Sequence, residues 1–250
     1  MTKVVSIENL SFAYPQGPLI FNGYSLEIES GSVFAVLGPN GRGKTTLLKV
    51  LLGLLKPQAG RCEVSGRTAL VPQLFQVTFS FSVLDMVLMG RAKKIGLFGR
   101  PGKTDAEAAL AALSRFGLAD LAGRSFFQLS GGQRQLIILA RALVAEADIL
   151  VLDEPTSALD LKNQSLVLQW MERLAREDGL TVIFSTHHPH HALAAADQSL
   201  LMLDEKRYYC GTAKEVLTEA NLWELYGLPM KYLEFEHEGR TVSTLAPVLT

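Results

Sequence analysis

The segment Gly38-Pro39-Asn40-Gly41-Arg42-Gly43-Lys44-Thr45 sets three glycines ahead of a lysine and a hydroxyl, between an apolar run and a helical pattern. Without Cβ atoms, such glycines let successive backbone N–H groups converge on phosphate oxygens, and the N-terminus of the following helix adds partial positive charge. Lys44 can then reach the β- and γ-phosphates of a nucleoside triphosphate. Thr45 offers a hydroxyl to Mg²⁺, and Thr46 follows in the first helical turn as a further binding candidate. A second constellation is Ile149-Leu150-Val151-Leu152-Asp153-Glu154. Four apolar residues carry two carboxylates to the C-terminal end of a buried strand, where α/β sheets bind ligands. Asp153 is the candidate for the Mg²⁺ shell and Glu154 for polarising an attacking water. Phosphoryl transfer is catalysed mainly by positioning and charge stabilisation of this kind. A third, Leu129-Ser130-Gly131-Gly132-Gln133, opens an apolar helix 23 residues before Asp153. It reads either as a helix N-cap at Ser130 with a flexible glycine pair, or as a second phosphate-binding helix end.

These groups need elements to hold them. Residues 4–14 alternate and carry β-branched and aromatic side chains, ending at the turn 15–18. Residues 25–29 and 32–37 are expected to form a strand pair meeting at Gly31, and 60–71 a short hairpin and a strand. A helix is predicted from Lys44 to about Leu55, closed by Lys56-Pro57. Between 80 and 145 the period becomes helical, with candidates at 82–89, 104–116 and 132–145, so a helical insert in an α/β chain is the simplest reading. Strand character returns at 149–152 and 181–184 around a helix at 164–177. After 212 one helix, 213–223, is expected and then no clear pattern.

Composition narrows the class. The 24 basic and 25 acidic residues nearly cancel, which argues against a nucleic-acid partner held by phosphate neutralisation. Hydrophobic residues make up 48% of the 250, enough for a sizeable core. No apolar run approaches the roughly 18–20 residues needed to span a bilayer, and residues 1–10 lack the pattern of a signal peptide. A cytoplasmic chain is expected. Cys62 and Cys210 have no CxxC spacing and read as free thiols.

In this order the three motifs resemble those of the ABC ATPase family, from Val4 to about Thr212. The resemblance implies an α/β P-loop NTPase core of RecA-like type with an antiparallel β subdomain and an inserted α-helical subdomain. It divides the single domain into a nucleotide-binding core at 1–73 and 146–212, a helical subdomain at 74–145 and a C-terminal extension at 213–250. Gly38 to Thr45 is similar to the family's Walker A, Leu129 to Gln133 to its signature motif, and Ile149 to Glu154 to its Walker B. Gln73 in Val71-Pro72-Gln73 matches the Q-loop glutamine that contacts Mg²⁺. Ser157-Ala158-Leu159-Asp160 resembles the D-loop, and His187 in Ser185-Thr186-His187 the switch histidine that contacts the γ-phosphate. Tyr14 stands where the family has an aromatic stacking on adenine; a lone aromatic at a strand end is otherwise a packing residue. The resemblance implies ATP and Mg²⁺ as cofactors. It also implies a head-to-tail dimer in which Ser130 to Gln133 of one chain complete the ATP site of another, most economically an identical chain.

Two positions depart from the pattern. Arg42 replaces a small residue of the loop and would approach phosphate or point to solvent. His188 replaces an aspartate and, with His187, His190 and His191, makes a histidine-rich stretch, but Pro189 breaks any regular spacing and no zinc site is expected. Val83-Leu84-Asp85-Met86-Val87-Leu88-Met89-Gly90-Arg91, followed by Leu97-Phe98-Gly99-Arg100-Pro101, resembles importers of metal chelates, as does Ala158-Leu159-Asp160-Leu161-Lys162-Asn163-Gln164. That branch implies iron siderophores first, with haem, cobalamin or molybdate as further cargoes. It implies integral membrane permease subunits as partners, indirectly a substrate-binding protein, and a peripheral place on the inner face of the cell membrane. Residues 74–91 are then expected to contribute to the groove that receives the permease's coupling helix. A subunit of another importer or of an exporter is the alternative. A soluble non-transport ABC ATPase would carry a long coiled coil between Lys44 and Ser130, which are only 86 residues apart.

Overall fold

The computed structural model describes residues 2–73, 79–96 and 99–249. In chain order these contain β1 (Lys3–Ala13), β2 (Leu19–Glu29), β3 (Val33–Leu37), α1 (Lys44–Leu51), β4 (Ala59–Val64), β5 (Thr68–Val71), α2 (Val83–Leu88), α3 (Ala92–Ile95), α4 (Lys103–Arg115) and α5 (Gly131–Leu143). There follow β6 (Ile149–Leu152), α6 (Leu161–Asp178), β7 (Thr181–Thr186), α7 (Pro189–Ala195), β8 (Gln198–Met202), β9 (Tyr208–Thr212), α8 (Ala213–Val216), α9 (Glu219–Tyr226), β10 (Met230–His237) and β11 (Arg240–Pro247).

The apolar strands dictate the centre. Every residue of β3, β6 and β7 is buried, so none can lie on a sheet with one wet face. They sit inside a six-stranded sheet of order β5-β6-β7-β3-β8-β9, parallel except for β9. Alternate side chains serve two cores. Phe34, Val36, Ile149, Val151 and Ile183 join α1 and the sheet of β1, β2 and β4 on one side. Val33, Ala35, Leu37, Leu150, Leu152, Val182 and Phe184 face α5, α6 and the other helices on the opposite side.

The expected pairing of 25–29 with 32–37 does not form. Gly31, at φ 70°, turns the chain from one sheet into another: β2 pairs antiparallel with β1, while β3 takes β7 and β8 as parallel neighbours. The reason lies in the burial patterns, since β2 alternates buried and exposed whereas β3 is dry on both faces. The expected hairpin in 60–71 is likewise split, with β4 against β1 and β5 against β6. The helix predicted to run to about Leu55 stops at Leu51, and the one at 164–177 begins at Leu161, capped by Asp160.

The helical insert comprises α2 to α5 and buries Arg91, whose Nε donates to Asp105 at 3.0 Å and whose Nη1 donates to Glu146 at 2.6 Å. Beyond 212 the single expected helix is two, because Thr218 caps α9 afresh after α8. The stretch without a clear pattern is a hairpin: His237 pairs with Arg240 across Glu238-Gly239, both at positive φ as a two-residue hairpin turn requires. Met230 and Leu245 anchor it in the core, so residues 213–247 dock rather than fray.

Candidate nucleotide site

Strand register assembles the site. Leu37 pairs with Thr186, and Leu152 pairs with both Val71 and Phe184. The residues that follow these strand ends, Gly38 to Thr45, Gln73, Asp153, Glu154 and His187, therefore emerge side by side at the carboxyl edge of the parallel strands. A cleft of about 470 Å³ opens there, lined by Tyr14, Ile20, Asn40, Gly41, Gly43, Lys44, Thr45, Thr46, Gln73 and Glu154.

Lys44 is 5% exposed and closes the loop on itself, its Nζ donating to the carbonyls of Gly38 at 2.8 Å and Pro39 at 3.2 Å. It also lies 3.1 Å from Glu154 Oε1. Thr45 Oγ1 donates to Asp153 Oδ2 at 2.7 Å, joining the two motifs directly. Neighbouring residues of a strand point to opposite faces; Glu154 escapes this by taking φ 45°, a left-handed conformation uncommon for a non-glycine. The turn brings both carboxylates to Lys44 and Thr45. Glycine is required at position 43, where φ is 103° and a Cβ would lie 2.2 Å from Ile20 Cγ2.

Gln73 Nε2 donates to Glu154 Oε2 at 3.2 Å and to Ser157 Oγ at 3.4 Å, so the predicted D-loop serine meets the site. Asp160 does not; its carboxylate accepts from the Asn163 N–H at 2.8 Å as the cap of α6. His187 Nδ1 is 3.2 Å from Glu154 Oε2, without the alignment of a hydrogen bond. Tyr14, 41% exposed, lines the cleft with its hydroxyl 3.3 Å from Thr46 Oγ1 and its ring perpendicular to that of Phe12. Arg42 Nη2 donates to the Ile20 carbonyl at 3.1 Å, along the cleft wall.

Leu129 to Gln133 line no part of this cleft. Leu129 is buried and Ser130 exposed, and Ser130 forms a capping box with Gln133: Oγ accepts from the Gln133 N–H at 3.3 Å, and the Ser130 N–H donates to Gln133 Oε1 at 3.1 Å. The N-cap reading is therefore correct within one chain, and the 13-residue helix α5 still presents its N-terminus outward. A Cβ at Gly132 would lie 2.1 Å from Asn163 Oδ1, the end of a side chain that can rotate aside.

Two features escaped the sequence reading. Ser185, fully buried, donates to Asp153 Oδ1 at 2.7 Å and accepts the Glu154 N–H at 2.9 Å, fixing the Asp153 carboxylate and the Glu154 backbone from the neighbouring strand. A polar residue ending an otherwise apolar strand was the available signal. Ile20, the cleft's apolar wall, lies in the part of β2 hidden by Asn22-Gly23. Among the described residues, no group of three or more His, Cys, Asp and Glu is placed to hold a metal ion. The histidines stack instead, His187 on His188 at 4.0 Å between centroids. His191 bonds Thr156 Oγ1 at 3.1 Å and Gln164 Oε1 at 3.3 Å, and burial pushes its pKa down to about 3, leaving it neutral.

A glycine loop closed by a buried lysine, a threonine hydroxyl on a strand-end aspartate and a following glutamate define a P-loop nucleotide hydrolase. Residues 21–157 match the family described as ABC transporter, and this chain belongs to it. It is an ATPase whose activity is coupled to transport. It is 45% identical over 92% of its length to the Haemophilus influenzae molybdate import ATP-binding protein MolC, covering 90% of that protein. It is 38% identical over 91% of its length, and 94% of the other's, to a Helicobacter pylori protein named as a probable iron chelatin transport ATP-binding protein. A solved chain described as a metal-chelate type ABC transporter in an inward-facing conformation superposes with a TM-score of 0.94 at 41% identity, over 99% of this chain and 98% of that one.

Proposed function

We propose that this chain binds and hydrolyses MgATP as one half of a head-to-tail pair of identical chains, and so powers a membrane permease that imports a molybdenum oxyanion or a metal chelate. The observation that carries the reading is the contact of Thr45 with Asp153 and of Lys44 with Glu154 in one cleft, while the capped N-terminus of α5 lines no part of it. In this reading the amides of residues 38–43 and Lys44 hold the phosphates, Tyr14 and Thr46 flank the base, and Ser130 to Gln133 of the second chain cap the γ-phosphate. The oxygens of Thr45, Asp153 and Gln73 are hard donors that suit Mg²⁺, which supplies charge neutralisation at the β- and γ-phosphates when bound. Glu154 accepts a proton from the attacking water and His187 donates to the γ-phosphate. Ser157 and Asp160 belong to the surface that meets the second chain.

The core is taken as 1–73 and 146–212, with 74–145 as the helical subdomain and 213–250 as the extension. A groove of about 500 Å³, lined by Phe81, Asp85, Leu88, Met89, Ala92, Ile95, Gly96, Gly99 and Pro101, supports reading the helical subdomain as the permease's docking surface. Of the residues expected there, 74–78 lie outside the described residues; so do Leu97 and Phe98 of the stretch that resembles metal-chelate importers. No helix among the described residues is long and apolar enough to cross a membrane, which suits a peripheral subunit held at the inner face by its permease.

For cargo, the molybdate relative at 45% identity ranks ahead of the iron chelatin relative at 38%, reversing the order the sequence alone suggested. The test is purification of the chain with its membrane subunits, identification of the binding protein they engage, and elemental analysis of that protein. Molybdenum is expected first, and iron or another chelated metal would assign the metal-chelate cargo instead; a binding protein that holds neither would overturn the cargo, and the absence of any membrane partner would overturn the importer.

A further inference from the structure

The segment after the core reaches back to the catalytic histidine. Tyr226, the last residue of α9, donates its hydroxyl to the backbone carbonyl of His187 at 3.0 Å. The helix that carries it is fastened at both ends. Thr218 caps its start, Gly227 at φ 65° ends it, and Glu224 accepts from the Tyr209 hydroxyl of β9 at 2.8 Å. Glu219 receives Lys231 Nζ at 2.9 Å and the Tyr232 N–H at 3.0 Å, tying the β10–β11 hairpin to the same helix. Between this unit and the loop before α7 lies a cavity of about 300 Å³, bounded by His187, His190, Leu228, Met230 and Pro247. Among the described residues the His187 Nδ1 has no aligned hydrogen-bond partner, although it lies 3.2 Å from Glu154 Oε2. The backbone at 187 is therefore held by Thr186 on one side, whose Oγ1 accepts the His188 N–H at 3.0 Å, and by Tyr226 on the other.

We infer that Tyr226 is a positioning residue for hydrolysis, fixing the backbone of His187 so that its imidazole is presented to the γ-phosphate, and that the C-terminal extension exists in part to supply it. The inference rests on the proposed role of His187. Burial, with the nearby Glu154 carboxylate adding to it, raises the Tyr226 pKa above that of a free phenol, so the hydroxyl stays a donor throughout the working range. Removing only that oxygen leaves a carbonyl without its partner and frees the histidine loop, at a cost the size of one net hydrogen bond.

The test is a double-mutant cycle on the full-length chain, with ATPase kinetics and thermal unfolding measured for each member. Tyr226→Phe is expected to lower kcat about fivefold while KM for ATP stays within about twofold and Tm stays near the parent's. In a His187→Ala background the same substitution is expected to cost nothing further, because the group it positions is gone. A kcat unchanged by Tyr226→Phe, or an equal loss in both backgrounds, would overturn the positioning role. Full activity of His187→Ala alone would overturn the underlying assignment instead, so the two failures are told apart.

Discussion

Glu154→Gln is expected to bind ATP, to dimerise in its presence and to lose roughly 10²- to 10³-fold in turnover, the range typical of removing a general base. The amide is isosteric with the carboxylate, and its oxygen can still accept from Gln73 Nε2, which lies 3.2 Å from Glu154 Oε2. Lys44 keeps the carbonyls of Gly38 and Pro39 when the 3.1 Å pair with Glu154 loses its charge, so the phosphate loop stays closed. What disappears is the carboxylate assigned to take the water's proton. Size-exclusion chromatography with and without MgATP, alongside steady-state hydrolysis, separates the outcomes. Unchanged turnover would remove Glu154 from its role, and loss of ATP binding would mean that the carboxylate shapes the cleft.

Lys44→Ala acts earlier, at binding. Truncating one member of a buried charge-assisted contact costs on the order of 2–5 kcal/mol, or roughly 30- to several-thousand-fold in affinity. Lys44 and Glu154 are 5% and 10% exposed at their side chains, so solvent compensates little. The measurement is the ATP-induced rise in Tm. At 100 times Kd the parent gains about 2.7 kcal/mol of stability, a shift of several degrees, and Lys44→Ala at the same ATP concentration is expected to show almost none. A full shift in the variant would show that the backbone amides alone hold the phosphates.

The cleft was legible because each of its main motifs is contiguous in sequence. A glycine loop must have glycines where φ is positive, as Gly43 shows, and a strand buried on both faces must be apolar throughout, as 149–152 are. Local rules of this kind need no partner to be read. The errors came where a neighbour decides. Residues 25–29 and 32–37 have equally good strand patterns, and only the sheets they join separate them. The Ile20 carbonyl that accepts from Arg42 Nη2 lies 22 residues away in sequence and could not be read from the loop alone. The hairpin of β10 and β11 gave no readable pattern because few of its side chains are buried, so alternation is not enforced.

By itself, then, the sequence determined the chemistry: which loop can hold a triphosphate, which carboxylates can hold a cation and activate water, and which helix start could cap a second site. Tertiary structure alone decided their geometry. Parallel register set Gly38, Asp153 and His187 at one edge, Ser185 held the Asp153 carboxylate and the Glu154 backbone from the next strand, and α9 brought Tyr226 from 39 residues downstream to the His187 backbone. Those contacts join residues distant in the chain, and they form only once the burial of β3, β6 and β7 has fixed the sheet order.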